Sequence, residues 1–206
     1  DFDRFSIEHE VERFLADYRG GSVLELGCAR GGMTRRMAGV VDRLVVVDGS
    51  RTYLDPLREE LGEKADLVFS RFEAYAPKER FRHVLAARIL EHLDEPVPFL
   101  RHVAGWLEPE GLLHVIVPNA RSFHRLLGVE MGMIRDIHEL GERDHRVGHV
   151  RVYDSELLAA DLGAAGLDVV HREVEDRERG GLVVVALGVG DDRALTRDLE
   201  RQDPLV

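Results

Sequence analysis

The stretch Val23-Leu24-Glu25-Leu26-Gly27-Cys28-Ala29-Arg30-Gly31-Gly32 decides how this chain folds. A short apolar run that ends in small residues and passes straight into a helical pattern reads as strand, tight turn and helix. Small residues at such a turn let a ligand approach the backbone closely. Upstream, Ser6 caps a helix whose Ile7, Val11, Phe14 and Tyr18 share one face, and Gly20-Gly21 breaks it. Downstream, a helix is predicted from Gly31 to about Gly39. Leu44–Val47 follows as a strand apolar on both faces, as strands under two helix layers must be, and it stops at Asp48.

The same alternation continues. A helix is predicted over 50–62 through Leu54, Leu57 and Leu61, with Pro56 kinking its start. Residues 66–70 and 83–87 read as strands. Asp94 is expected to cap a helix carrying Val97, Leu100, Ala104 and Leu107, before Pro109-Glu110-Gly111 turns the chain into a strand over Leu112–Val117. Residues 119–150 show no clean period and carry His124, His138, His145 and His149. Asp154 or Ser155 caps a helix with Leu158, Leu162 and Ala165 inward, closed by Gly166. Two strands, 167–174 and 182–187, end the fold around the charged 175–180 stretch. The pattern predicts a doubly wound, Rossmann-like α/β domain with a seven-stranded sheet, an antiparallel terminal strand and helices on both faces. A single domain over 1–206 is expected, with an N-terminal helix to residue 20, a cap over the crevice at 119–150 and a polar tail over 190–206. Its ligand belongs at the carboxyl ends of the central strands.

Composition narrows the function. The 206 residues carry 39 acidic and 28 basic side chains, a formal net charge of -11, which argues against nucleic acid as the partner. No apolar run is long enough to span a membrane, and no basic-then-apolar leader is present. The chain opens on Asp1 and not on methionine, which leaves room for residues upstream. A single cysteine excludes an internal disulfide and a cysteine-built metal site, and it suits the reducing cytoplasm. The expected partner is a small molecule; nothing here bears on oligomeric state.

Spacing in the glycine loop leaves two readings open. Gly27-x-Ala29-x-x-Gly32 is a degenerate dinucleotide fingerprint, while Glu25-x-Gly27-x-Ala29-x-Gly31 is the pattern of an S-adenosylmethionine loop. Both expect an acid at the end of the second strand to hold ribose hydroxyls, and Asp48 is there. A strand end at a crevice is not core, so Asp48 is expected to matter for binding rather than for folding.

Further motifs favour the second reading. Leu90-Glu91-His92-Leu93-Asp94-Glu95-Pro96, Trp106-Leu107-Glu108-Pro109-Glu110-Gly111, Val117-Pro118-Asn119-Ala120 and Gly148-His149-Val150-Arg151-Val152-Tyr153 follow the loop in order. Together they resemble the class I S-adenosylmethionine-dependent methyltransferases, in particular their small-molecule group, over roughly residues 10–190. The resemblance implies S-adenosyl-L-methionine as cofactor, S-adenosyl-L-homocysteine as product, and an O- or N-nucleophile as acceptor. Glu25, Gly27, Cys28, Ala29 and Gly31 then back the methionine part. Asp48, with Gly49 beside it, holds the ribose, Phe72 and Glu73 flank the adenine, and Ala87 and Arg88 lie near the methionine end.

Three positions depart from the family pattern. Ala29 replaces a glycine, Arg82-His83 stands where an acid often opens the strand, and Arg88 stands where a neutral residue or histidine is usual. Arg88 admits a different sulfonium chemistry, in which the aminocarboxypropyl arm is transferred or cyclised with release of methylthioadenosine. An NAD(P)-binding oxidoreductase and a non-catalytic binding subunit remain as rivals. His149, Tyr153 and Arg88 are the candidate catalytic residues, and Asn119, His124 and His145 the candidate substrate contacts. His149 suits proton transfer through its near-neutral titration, although bracing of the cap by His149, Arg151 and Tyr153 is the plainer role. Glu91 and His92 are read as braces of the loop that carries them, and His83, His102 and His114 as structural or surface residues. Asp144, His145 and His149 have no recognised ligand spacing, so no metal is expected.

Overall fold

Alternating apolar residues build seven strands: β1 (Ser22–Leu26), β2 (Arg43–Asp48), β3 (Asp66–Phe69), β4 (Phe81–Ala87), β5 (Leu107–Pro118), β6 (Asp168–Val174) and β7 (Gly181–Leu187). They form one sheet in the order β3-β2-β1-β4-β5-β7-β6. The first five run parallel, whereas β7 is antiparallel to both β5 and β6. The antiparallel strand is thus last in sequence but not at the edge, because β7 inserts between β5 and β6. This computed structural model describes residues 10–16, 18–174 and 181–187, with the backbone alone for 171–174 and 181–187. The predicted Ser6 cap and Ile7, the charged 175–180 stretch and the tail lie outside the described residues.

The helices are α1 (residues 10–16), α2 (Gly32–Met37), α3 (Arg51–Leu61), α4 (Pro96–Ala104), α5 (Phe123–Glu130), α6 (Glu142–Val147) and α7 (Ser155–Ala164). Period-two strands send alternate side chains to opposite faces, so two separate cores form. Leu24, Leu26, Val45, Val47, Val84 and Ala86 pack under α4 and α7, with Leu100, Val103, Leu158 and Leu162. Val23, Val46, Leu85 and Ile116 pack under α1, α2 and α3, with Phe14, Met37, Leu54 and Leu57.

Several boundaries differ from expectation. The helix α3 starts at Arg51 and continues through Pro56 to Leu61. Glu95, not Asp94, is the residue before α4, and α4 ends at Ala104 because Leu107 already pairs with Phe81 in the sheet. The predicted turn at Pro109-Glu110-Gly111 is an irregularity within β5, where Glu110 takes a left-handed φ of 60°. Residues 119–150 contain two helices, α5 and α6, and none of their residues is buried; in α5 the apolar spacing Phe123, Leu126 and Leu127 is present but exposed. Asp154 caps α7 as expected, accepting from the Glu156 and Leu157 amides.

Candidate active site

At the carboxyl end of β1 the chain must reverse within five residues. Gly27 and Gly31 take left-handed φ values of 73° and 75°, and Ala29 joins them at 44° despite its side chain. A Cβ on Gly27 would stand 2.9 Å from Ile89 Cδ1, and one on Gly31 would stand 2.4 Å from Leu57 Cδ2. A side chain at either glycine would have to displace these neighbouring side-chain ends and adopt a left-handed conformation, so glycine is favoured at both. Asp48 grips it from β2: Oδ2 accepts from the Cys28 amide at 2.9 Å and contacts its thiol at 3.4 Å, while Oδ1 accepts from the Ser50 amide at 2.7 Å. Asp48 is buried, so the expectation that it matters only for binding needs correction; it also holds the loop in shape. A carboxylate offers about four lone-pair sites; these three donors leave one, on Oδ1. Burial and the Asp48 charge hold the Cys28 thiol protonated well above its ordinary range. Glu25, fully enclosed behind the loop with Oε2 unpartnered, is pushed up to about 8 by burial.

Around this turn lie the other residues named for the cofactor. Phe72 and Glu73 form a short 3-10 turn after β3. Phe72 Cζ would be 3.7 Å from a Cβ on Gly27, so its ring flanks the loop, whereas Glu73 is exposed. Gly49 is exposed beside Asp48, and Ala87 closes β4 half-buried. Arg88 follows with a left-handed φ of 58°, and its guanidinium reaches Glu10 of α1 at 2.6 Å. Glu10 is buried. No sequence signal links residues 78 positions apart.

The segment 148–151, at the end of the expected cap, is laced to the residues after β4. The Val150 amide donates to Glu91 O at 2.8 Å, His92 Nδ1 contacts Gly148 O at 3.1 Å, and Arg151 donates to the Leu93 and Asp94 carbonyls. This seats His149 beside His92, with ring centroids 4.9 Å apart. His149 Nδ1 lies 3.0 Å from Asp144 Oδ1. A carboxylate acceptor keeps the proton on Nδ1 and leaves the Nε2 lone pair open. Burial holds His149 below its ordinary value against the opposing pull of Asp144. Asp144 would itself rise through burial, but the Gly141 amide, His149 and Arg125 hold it below its ordinary value. Glu91, 1% exposed, has neither carboxylate oxygen paired, and burial pushes it up to about 7.

Other named residues fall elsewhere. Tyr153 is wholly buried and donates to Asp161 of α7 at 2.8 Å, so the geometry gives it a bracing role rather than a face on the crevice. Asn119 is buried, with Oδ1 taken by the Arg121 amide at 2.8 Å. His124 and His145 are exposed on α5 and α6. Arg125, which sequence reasoning passed over, holds the cap through the Ile137 and Glu139 carbonyls and Asp144. Its partners follow an aperiodic segment, so no spacing rule finds them.

A Rossmann-like sheet with a glycine turn at its switch point has counterparts of known structure. The 1,6-didemethyltoxoflavin-N1-methyltransferase of Burkholderia thailandensis, solved with that substrate and S-adenosylhomocysteine, superposes with a TM-score of 0.70 at 20% identity, covering 91% of this chain and 80% of its own. The N-methyltransferase NodS of Bradyrhizobium japonicum WM9 gives 0.67 at 17%, covering 92% and 97%. By sequence, a ubiquinone biosynthesis O-methyltransferase of Ruegeria pomeroyi is 30% identical over 143 residues, 65% of this chain and 58% of that protein. The chain spans about half the length of the curated relatives it matches. The sequence profile of the methyltransferase domain matches residues 3–172, so the loop, the strand ends and the cap described above all fall within it, and the chain belongs to the methyltransferase domain family.

Proposed function

We propose that this protein uses S-adenosyl-L-methionine to methylate a small-molecule acceptor in the cytoplasm. The observation that carries the reading is the turn Gly27–Gly31, whose glycines take left-handed φ values and whose amide at Cys28 is held by Asp48. That arrangement fits the cofactor: the loop at Ala29 and Arg30 is exposed to its amino-acid portion, and the Asp48 lone pair left on Oδ1 meets a ribose hydroxyl. When bound, the cofactor supplies an activated methyl group and leaves as S-adenosyl-L-homocysteine.

The chain's own work is chiefly positional. Holding two reactants in line is worth up to ~7–11 kcal/mol, more than a single general base supplies. Segment 148–151 is fastened to residues 91–94 and so holds His149 in place. His149 presents its open Nε2 to the acceptor and takes the proton of a hydroxyl or amine, with Asp144 as the positioning residue behind it. Arg88, the residue that favoured chemistry on the aminocarboxypropyl arm, is paired with Glu10, so methyl transfer is preferred here.

Titration calorimetry with S-adenosyl-L-methionine, S-adenosyl-L-homocysteine and NAD tests the reading. Binding of the first two without NAD is expected; tight NAD binding alone would overturn it. Incubation with the donor alone separates the two sulfonium chemistries. Methylthioadenosine formed well above an enzyme-free control would replace methyl transfer with arm chemistry.

A further inference from the structure

We propose that Glu91, His92 and His149 form a binding site for a divalent transition-metal ion at the mouth of the crevice. The sequence expectation of no metal weighed only Asp144, His145 and His149. It missed this set because its members come from two segments 57 residues apart that only the cap brings together. Each of the three offers one ligand atom, and these atoms lie within 4.8 Å of one another.

The carboxylate is the first argument. Glu91 is 1% exposed and both its oxygens lack a partner, although its backbone carbonyl is satisfied by the Val150 amide. A buried carboxylate without donors is costly unless something positive meets it. The nearby guanidinium of Arg88 is turned to Glu10 at 2.6 Å.

The histidines supply the second argument. Both rings have Nδ1 against an oxygen: Gly148 O for His92 at 3.1 Å, and Asp144 Oδ1 for His149 at 3.0 Å. Those contacts place the protons on Nδ1 and leave each Nε2 to ligate. A carbonyl or carboxylate behind the far ring nitrogen is the usual support of a metal-bound imidazole. Arg125, 3.3 Å from Asp144, fixes that support in turn.

Size and chemistry agree. Bonds of about 2.1 Å in tetrahedral geometry put ligand atoms about 3.4 Å apart. The separations are at most 4.8 Å, so closing needs a movement of at most about 1.4 Å, which exposed His92 can make by side-chain rotation. Two imidazoles and one carboxylate suit zinc and the neighbouring first-row ions, and three protein ligands leave a coordination position open. An acceptor hydroxyl entering that position gives its oxygen lone pair to the ion, while its O–H bond breaks and the proton passes to water. With the ion bound, the His149 lone pair is used in ligation, so this route replaces the proton transfer to His149 described above, which belongs to the metal-free protein. This role rests on the methyltransferase reading and points to an oxygen nucleophile; the binding of the ion does not rest on it.

Titration of the metal-stripped full chain with Co2+, followed by its visible absorption, and with Zn2+ by calorimetry, tests the site without any turnover. One equivalent is expected, with the strong d–d bands of a low-coordinate site. Glu91→Gln, His92→Asn and His149→Asn are each expected to weaken binding at least 10-fold, and the surface change His102→Asn to leave it alone. Because His92 is exposed, its replacement reports ligand loss rather than unfolding. Absence of a stoichiometric site, or affinities that these three changes leave untouched, would overturn the proposal. Failure of S-adenosyl-L-homocysteine to bind would remove the methyltransferase reading while the cation titration still stood.

Discussion

His83 Nδ1 and His114 Nε2 lie 3.0 Å apart between β4 and β5, in a wholly buried pair. The rings are closed over by Phe14 of α1, whose centroid is 4.9 Å from that of His114 and 5.8 Å from that of His83. One neutral ring donates to the other, an arrangement that a second proton destroys. Burial pushes His83 down to about 4 and His114 down to about 3.

That pair makes stability depend on pH with a definite sign. An unfolded histidine titrates near 6.5, so between that value and about 4 the unfolded chain binds more protons. Stability is complete above about pH 6.5 and falls as the pH drops through this window, by up to ~1.4 kcal/mol per pH unit for each histidine. Urea unfolding at pH 7 and pH 5 should show the loss. The double variant His83→Phe/His114→Leu should show a shallower dependence, and an equal slope would exclude the pair as its source.

Asp48 holds the Cys28 and Ser50 amides, and the proposed function gives it the ribose as well; one substitution should test both. Charge-assisted hydrogen bonds contribute roughly 1.5–3 kcal/mol each, so Asp48→Ala is expected to weaken S-adenosyl-L-homocysteine binding at least ~10-fold. The freed Cys28 and Ser50 amides should also lower the melting temperature, by ~2–4 °C for each kcal/mol lost. Calorimetry and thermal unfolding on the same sample measure the two separately. A normal melting temperature would mean that the loop holds its shape without the carboxylate.

Two left-handed glycines separate backbone strain from packing. Gly31 and Gly39 have φ of 75° and 82°, yet a Cβ on Gly31 meets Leu57 at 2.4 Å and one on Gly39 meets nothing within 4 Å. Alanine at either site carries the left-handed penalty of ~1–2 kcal/mol. Overpacking should add ~1–3 kcal/mol at Gly31 alone. Denaturant midpoints of Gly31→Ala and Gly39→Ala give the difference.

Tyr153→Phe distinguishes a brace from a participant in chemistry. It removes the hydrogen bond to Asp161 from a fully buried ring, which should cost about 0.5–3 kcal/mol of stability, since the acceptor is a carboxylate. Binding of S-adenosyl-L-homocysteine should stay within twofold. A large loss of affinity at unchanged stability would return Tyr153 to the crevice.

Arg125 should govern how firmly the cap is closed. It reaches the Ile137 and Glu139 carbonyls and Asp144 from α5. Arg125→Met is expected to speed hydrogen exchange over residues 131–145 while leaving β1 and β4 protected. Unchanged exchange would assign the closure to the contacts of Arg151 and His92.

Local physics makes much of this protein legible in its sequence. A strand buried on both faces must be apolar throughout, so Val45–Val47 declares itself, and a left-handed reversal favours glycine, so Gly27 and Gly31 do too. Asp154 announces α7 because a cap acts within three residues. The remainder depends on contacts without a repeating spacing. Helix α5 has an apolar stripe, Phe123, Leu126 and Leu127, but it is exposed, and α6 has none, so neither helix announces a buried face. The grip of Asp48 on the Cys28 amide, the pairing of Arg88 with Glu10 and the meeting of Glu91 and His92 with His149 join segments 20, 78 and 57 residues apart. Periodicity reports which side of an element is buried; which partner waits there is decided only when the sheet order and the cap bring those segments together.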